Sequence, residues 1–256
     1  QAGPVRLQTF ETGDGPNVII FVHGYTASGR IWRMVQEALD PVRFRSIAIS
    51  NRGAGDSDRS DREEDYFVET FAADLHTAVQ ALGVRDFTLV GHSMGGLTVT
   101  AYALEHQDVL RALVLIDPGS LDGRTRAGAP VANPATAPAQ IVDELRAPAD
   151  FLAALRADSD RNPPARLSAG RTSMERVRLR EHLTELRLPV LVVAGDRDTL
   201  VGVPNILTEY LTLPPERRSL HVFHGVGHSP NISVPRELAA LLAEFVEETV
   251  ARMVGV

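Results

Sequence analysis

The chain has 256 residues, with 26 Lys and Arg against 33 Asp and Glu (formal net charge −7), 44% hydrophobic residues and 23% charged ones. These proportions suit a soluble globular protein with a sizeable core, and an acidic balance without any Lys- or Arg-dense stretch gives no support to nucleic-acid binding. Cysteine is absent, which removes disulfides, thiolate catalysis and Cys-ligated metals together.

No apolar run approaches the roughly 20 residues that span a bilayer, so no membrane association is expected. The start, Gln1-Ala2-Gly3-Pro4, reads as a processed or trimmed end without a signal-peptide core. The default expectation is a cytoplasmic monomer or homodimer.

In chain order, 5–10 alternates weakly and predicts an edge strand, closed by Thr12-Gly13-Asp14-Gly15-Pro16. Residues 17–22 form a β-branched run, as a central parallel strand covered on both faces would. It stops at His23-Gly24-Tyr25. Residues 31–39 place Ile31, Met34, Val35, Ala38 and Leu39 on one helical face. A strand over 44–49 leads into Asn51-Arg52-Gly53-Ala54-Gly55-Asp56-Ser57 and a charged, solvated loop to Asp65, which Arg52 is placed to tie to the rest of the wall. The apolar set from Phe67 to Leu82 has a 3.6-residue period and predicts a helix over 66–82.

Next comes a short strand at 86–90, the sequence Gly91-His92-Ser93-Met94-Gly95-Gly96, and a breaker-free helical stretch over 97–104. Another apolar strand at 112–116 ends at Asp117-Pro118. From 118 to 187 the chain turns rich in Ala, Pro, Leu and Arg. Short helices are expected at 141–145, 150–155 and 174–186, split by Asn162-Pro163-Pro164. The strand–helix rhythm resumes with a strand at 189–194, Gly195-Asp196-Arg197-Asp198, a helix near 204–211, a strand at 219–223, and a closing helix from 235 to about 253.

Such alternation implies an α/β fold: a mostly parallel central sheet with helices on both faces. Ligands bind beyond the carboxyl ends of the strands in such sheets, so the residues just after each strand carry the chemistry. Gly91-His92-Ser93-Met94-Gly95 spells G-x-S-x-G between a strand and a helix, a tight turn that lifts a serine hydroxyl above the sheet. A serine needs a base within reach, itself oriented by a third group. His228, in Gly225-Val226-Gly227-His228, follows the last strand, and Asp198 follows the strand before it. Asp117 and Asp196 are rivals to Asp198, with Asp196 expected instead to brace its turn by an Asx-type bond. The amides of Met94 and Tyr25 are the natural pair to face an oxyanion, with Gly24 allowing close approach and Gly24 and Tyr25 lining the substrate site. The spacing of His221, His224 and His228 invites a zinc reading, but His221 falls inside a strand and no Glu sits beside them in the H-E-x-x-H manner, while His23 and His92 read as local packing and bonding around the turns.

With these residues in place, the chain resembles the α/β-hydrolase superfamily. The resemblance rests on His23-Gly24, Arg52-Gly53-Ala54-Gly55-Asp56-Ser57, Gly91-His92-Ser93-Met94-Gly95-Gly96, Gly195-Asp196-Arg197-Asp198 and Gly227-His228. Ser50 stands where relatives with this Arg loop commonly carry Asp. The resemblance implies a core of 1–117 and 188–256, with 118–187 a small helical cap inserted after the sixth strand and supplying most of the pocket. It implies a cofactor-free, metal-free serine hydrolase of carboxylic esters, lactones included, acting on a largely hydrophobic small molecule through Ser93, His228 and Asp198. Serine at 93, where dehalogenases and epoxide hydrolases carry a carboxylate, argues against those branches. Perhydrolase or haloperoxidase-like, thioesterase and carbon–carbon hydrolase activity remain neighbours, as does a non-catalytic receptor.

Overall fold

The computed structural model of the protein describes residues 5–123 and 147–254. A seven-stranded sheet runs through it, formed by β1 (Thr9–Thr12), β2 (Asn17–Val22), β3 (Phe44–Ile49), β4 (Phe87–His92), β5 (Leu110–Ile116), β6 (Val190–Gly195) and β7 (Arg218–Phe223). Their spatial order is β1-β3-β2-β4-β5-β6-β7. β1 pairs antiparallel with β3, and the remaining pairings are parallel.

The described α-helices of six residues or more are α1 (Arg33–Ala38), α2 (Val68–Leu82), α3 (Met94–His106), α4 (Ala149–Asp160), α5 (Pro164–Arg176), α6 (Val203–Thr212) and α7 (Pro235–Val254). Alternate strand residues feed two cores. Ile20, Val22, Leu113, Leu115, Val190 and Val192 pack beneath α2, α3 and α6 against Leu75, Leu97 and Ile206. Ile19, Phe21, Val114, Ile116, Leu191 and Val193 pack on the other face against Trp32, Val35, Leu238 and Leu242, from the α1 and α7 side. Cover on both faces is why the inner strands read as unbroken apolar runs.

Several boundaries differ from expectation. The first strand lies at Thr9–Thr12 because 6–8 are engaged elsewhere: Arg6 O accepts from Asp58 N–H (2.9 Å) and Gln8 O from Ser50 N–H (2.9 Å). The helix expected over 31–39 is entered through a 3-10 turn, Gly29–Trp32, capped by Ser28 Oγ on Arg30 N–H, and α1 begins only at Arg33. The segment expected after a sixth strand leaves from β5, the fifth, since residues 5–117 form only five strands. Its described parts, 118–123 and 147–187, hold α4, α5 and a 3-10 turn at Arg180–Glu185, and no strand.

The helix expected over 174–186 is two pieces, and α5 starts ten residues earlier than it. Asn162-Pro163-Pro164 separates α4 from α5 as the sequence predicts, and Pro164 itself stands at the first position of α5, where its missing N–H leaves no bond unmade. The helix expected at 141–145 lies outside the described residues. No described helix is long and apolar enough to cross a membrane.

Trp32 is fully buried, its ring 4.8 Å from that of Phe21 and edge-on to His92 at 6.3 Å. Trp32→Ala is therefore expected to cost roughly 3–5 kcal/mol of folding stability. Urea unfolding of the two proteins measures it, and a cost below about 1 kcal/mol would contradict this packing.

Candidate active site

The turn between β4 and α3 puts Ser93 at φ 55°, ψ −121°, a conformation that costs a non-glycine residue on the order of 1–3 kcal/mol. Neighbouring backbone holds it there. Ser93 N–H donates to Ile116 O (3.1 Å), and Ser93 O accepts from Gly96 N–H (2.9 Å) and Gly119 N–H (3.0 Å). Glycine is required on either side. A Cβ at Gly91 would stand 2.5 Å from Gly95 O, and one at Gly95 would stand 2.5 Å from Val22 O. Strand, helix and the end of β2 thus meet backbone against backbone, with Ser93 at the junction.

His228 and Asp198 come from the loops after β7 and β6, and β4, β5, β6 and β7 are successive neighbours in the sheet. His228 Nδ1 lies 2.9 Å from Asp198 Oδ2. Asp198 Oδ1 accepts from Leu200 N–H (2.7 Å) and Val201 N–H (3.1 Å). Burial works to raise the Asp198 pKa, but the bond and charge of His228 and the two amides outweigh it, and the carboxyl sits below its usual range. His228 O in turn accepts from His92 Nε2 (2.7 Å), and the two imidazole rings are 4.9 Å apart. The residue next to the serine therefore holds the histidine loop at the serine turn.

Ser93 is half-buried, and its Oγ makes no hydrogen bond among the described residues. The geometry joins His228 to Asp198 and brings both to the Ser93 turn without a serine–histidine bond. Such bonds are often long in unliganded sites and tighten with substrate.

The three aspartates have separate tasks. Asp196 accepts from Gly225 N–H (2.7 Å) and faces His224 Nδ1 at 2.5 Å, so it bridges to the next loop. The Asx-type turn expected of it belongs to Asp198, through the Leu200 amide. Asp117 is fully buried, with φ 38°, and its Oδ1 accepts from Gly195 N–H (3.0 Å). Burial first, then the Asp198 charge, pushes its pKa up to about 9, so it is a neutral acid at neutral pH.

The loop after β2 approaches from the other side. A Cβ at Gly24 would lie 3.0 Å from Ser93 Cβ. His23 is buried and held neutral, its pKa lowered to about 3 by burial and then by the Arg166 charge. Its Nε2 accepts from Asn51 N–H (3.0 Å), leaving Nδ1–H to donate to Gly24 O (2.7 Å). His92 is likewise lowered to about 3, by burial and then by His228. Among the described residues neither Tyr25 N–H nor Met94 N–H donates to a protein acceptor. Arg52 ties its loop to α2 through Asp74 (3.0 and 2.8 Å).

The roof over Tyr25 and Met94 is α5. Tyr25 OH donates to Leu167 O, and a Cβ at Gly170 would stand 2.6 Å from the Tyr25 ring and 3.7 Å from Met94 Sδ. α4 is moored by Asp158, which is buried, accepts from Ser28 Oγ (2.6 Å) and Arg30 Nε (2.9 Å), and pairs with Arg161. Neither Asp158 nor the buried Arg166 stood out in the sequence, because charged residues in an Ala- and Arg-rich helical stretch look like a solvated face. No three His, Asp or Glu side chains converge on a metal site among the described residues.

The family model of the alpha/beta hydrolase fold matches residues 17–235. The chain belongs to the α/β-hydrolase family. Among curated α/β hydrolases, the bifunctional epoxide hydrolase 2 of Sus scrofa is 30% identical over 138 residues, which is 54% of this chain and 23% of that protein. The 2-(acetamidomethylene)succinate hydrolase of Mesorhizobium japonicum is 32% identical over 115 residues, 45% of this chain and 40% of that one. The matches thus span less than half the length of these relatives. Among solved structures, an esterase from Thermogutta terrifontis superposes with a TM-score of 0.81 at 22% identity, covering 96% of both chains. A bromoperoxidase from Bacillus anthracis has the same score, identity and coverage. At those identities the likeness is one of fold.

The neutral Asp117 has a consequence for stability. A carboxyl whose pKa is raised on folding lends stability that is complete below its unfolded value and is lost as pH rises through the folded one, here from about pH 4 to about pH 9. Asp198, lowered on folding, works the opposite way and loses its contribution in acid. Asp117→Asn, a permanently neutral isostere, is expected to flatten the alkaline decline. Melting temperatures of both proteins between pH 5 and pH 9 test this: the variant gains on the wild type by on the order of 2–4 °C toward pH 9. Parallel curves would contradict a neutral Asp117.

Proposed function

We propose that the protein is a serine hydrolase that cleaves a carboxylic ester or lactone of a largely hydrophobic small molecule through an acyl-enzyme on Ser93. The observation that carries this reading is the 2.9 Å bond between His228 Nδ1 and a buried Asp198, on a loop held at the strained Ser93 turn. That bond leaves Nε2 as the free basic nitrogen. His228 takes the Ser93 proton as the oxygen attacks the carbonyl carbon, and Asp198 keeps the tautomer and stabilises the imidazolium. The amides of Tyr25 and Met94 receive the developing oxyanion, Met94 with the added field of the α3 N-terminus. The acyl-enzyme forms as His228 returns the proton to the leaving alcohol, and His228 then activates the water that releases the acid.

The substrate class follows from the wall. Tyr66, Phe71, Met94 and Ala169 cluster with Tyr25, Phe67, Ala165 and Met174, joining the core to α5 in an apolar patch beside the turn. In this reading 118–187 is a cap over the site. A serine at 93 attacks directly and forms an ester intermediate, unlike a carboxylate nucleophile that opens an epoxide.

A second reading shares the acyl-enzyme: hydrogen peroxide in place of water would release a peracid. It is favoured by a 36% identity over 99 residues to the non-heme chloroperoxidase CPO-A1 of Kitasatospora aureofaciens, 38% of this chain and 35% of that protein.

A panel of aryl esters, lactones and thioesters, with and without peroxide, together with a fluorophosphonate label, tests both readings. Labelling and turnover are expected in the wild type and lost in Ser93→Ala. His228→Ala is expected to lower kcat/KM by roughly 10³-fold or more, and Asp198→Asn by less, with folding retained. Ester turnover that survives Ser93→Ala would overturn the proposal.

A further inference from the structure

Arg166 is a fully buried side chain of α5 whose chemistry none of the preceding roles uses. Arg166, Ala169, Gly170 and Ser173 are the buried residues of that helix, a single face at the spacing of one and two turns. Gly170 seats this face over Tyr25 and Met94, and one turn earlier Arg166 enters the same interior, fully buried. Gly53 makes room for it, since a Cβ there would stand 2.8 Å from Arg166 Cδ and 2.7 Å from the Tyr66 ring. Nη1 donates to Asn162 Oδ1. Nε and Nη2 are buried with no acceptor among the described residues.

The ionisable groups that bear on this guanidinium are the Tyr25 and Tyr66 hydroxyls, with no carboxylate among them. Burial lowers its pKa to about 10, so it still carries its proton at neutral pH. A buried unpaired cation is costly, and proteins seldom keep one without an anion to meet it.

Nε and Nη2 form the side-on edge of a guanidinium, and elsewhere this chain uses that edge for one purpose. Arg52 holds both oxygens of Asp74 with it at 3.0 and 2.8 Å, and Arg180 both oxygens of Glu209 at 2.9 and 2.8 Å. At Arg166 the same fork faces the interior beside the loop that carries Tyr25. It matches a planar, two-oxygen anion, and apolar surroundings strengthen the attraction.

We infer that Arg166 is a specificity-determining residue that binds a carboxylate on the substrate, so that the preferred ester has an apolar chain ending in a free acid. This rests on ester hydrolysis at Ser93. The apolar cluster around Tyr66 and Met94 takes the chain, and the guanidinium takes its end.

The test compares 4-nitrophenyl hydrogen glutarate with 4-nitrophenyl pentanoate, esters of equal acyl length that differ in the terminal carboxylate. The wild type is expected to favour the acidic ester in kcat/KM by about 10- to 100-fold, most of it in KM. Arg166→Met, and Arg166→Lys, which keeps the charge without the fork, are expected to bring that ratio to near one. Binding is read separately in Ser93→Ala, where monomethyl glutarate should raise the melting temperature and methyl pentanoate should not. Wild-type turnover of both esters at a ratio of one or below, or no shift with monomethyl glutarate, overturns the carboxylate site and leaves hydrolysis at Ser93 intact. Turnover of neither ester by the wild type overturns the underlying reading instead.

Discussion

The molecule depends on a close approach of main chain to main chain at the head of α3. β4, α3 and the end of β2 come together with no room for a side-chain carbon at residues 91 and 95, and Ser93 takes up a conformation that isolated chains avoid. Packing over-determines that conformation: the bonds from Ile116, Gly96 and Gly119 to the Ser93 peptide would all have to break for it to relax. The same crowding points the α3 N-terminus at the space beside the serine. Fold and candidate site therefore rest on one steric constraint, and a single added methyl group there disturbs both.

Around that point the ionisable groups are sorted by what they can bond to. His23 and His92 are stripped of water without a carboxylate partner and stay neutral, each serving as a fixed hydrogen-bond bridge between loops. Asp117 and Asp198 are both buried, and like charges so placed push each other's protonation apart. Asp198 receives a histidine and two amides, so it holds the negative charge, while Asp117 receives one amide and keeps its proton. One anion then faces one imidazole.

Much of this is legible in the sequence because the sheet is parallel and covered. Continuous apolar runs mark the inner strands, and every candidate site position follows the end of one of them, so residues 93, 198 and 228 stand out by location. The distribution of tasks among the aspartates is less legible. Asp196 and Asp198 are equivalent in type and two positions apart, and only loop geometry decides which meets His228. The 118–187 segment is harder still. Pro163-Pro164 suits a helix start as well as a helix stop, and Arg166 and Asp158 are charges whose burial depends on partners such as Asn162, Ser28 and Arg30, distant in sequence or hidden by an exposed-looking composition.

The mooring of α4 and α5 bears on how the site selects its ligand. Asp158 fastens one helix to Ser28 and Arg30, Asn162 Nδ2 donates to Thr26 O (2.8 Å), and Tyr25 OH fastens the next helix at Leu167. These anchors all reach the single loop that carries Tyr25, so α4 and α5 are tied to the loop beside Ser93. The entropy of ordering that wall is lost when the chain folds and is not demanded again when a ligand arrives. A wall ordered in this way discriminates by exclusion: under the proposed function, a molecule of the wrong outline would be refused at entry, and one that fits would meet groups already in place.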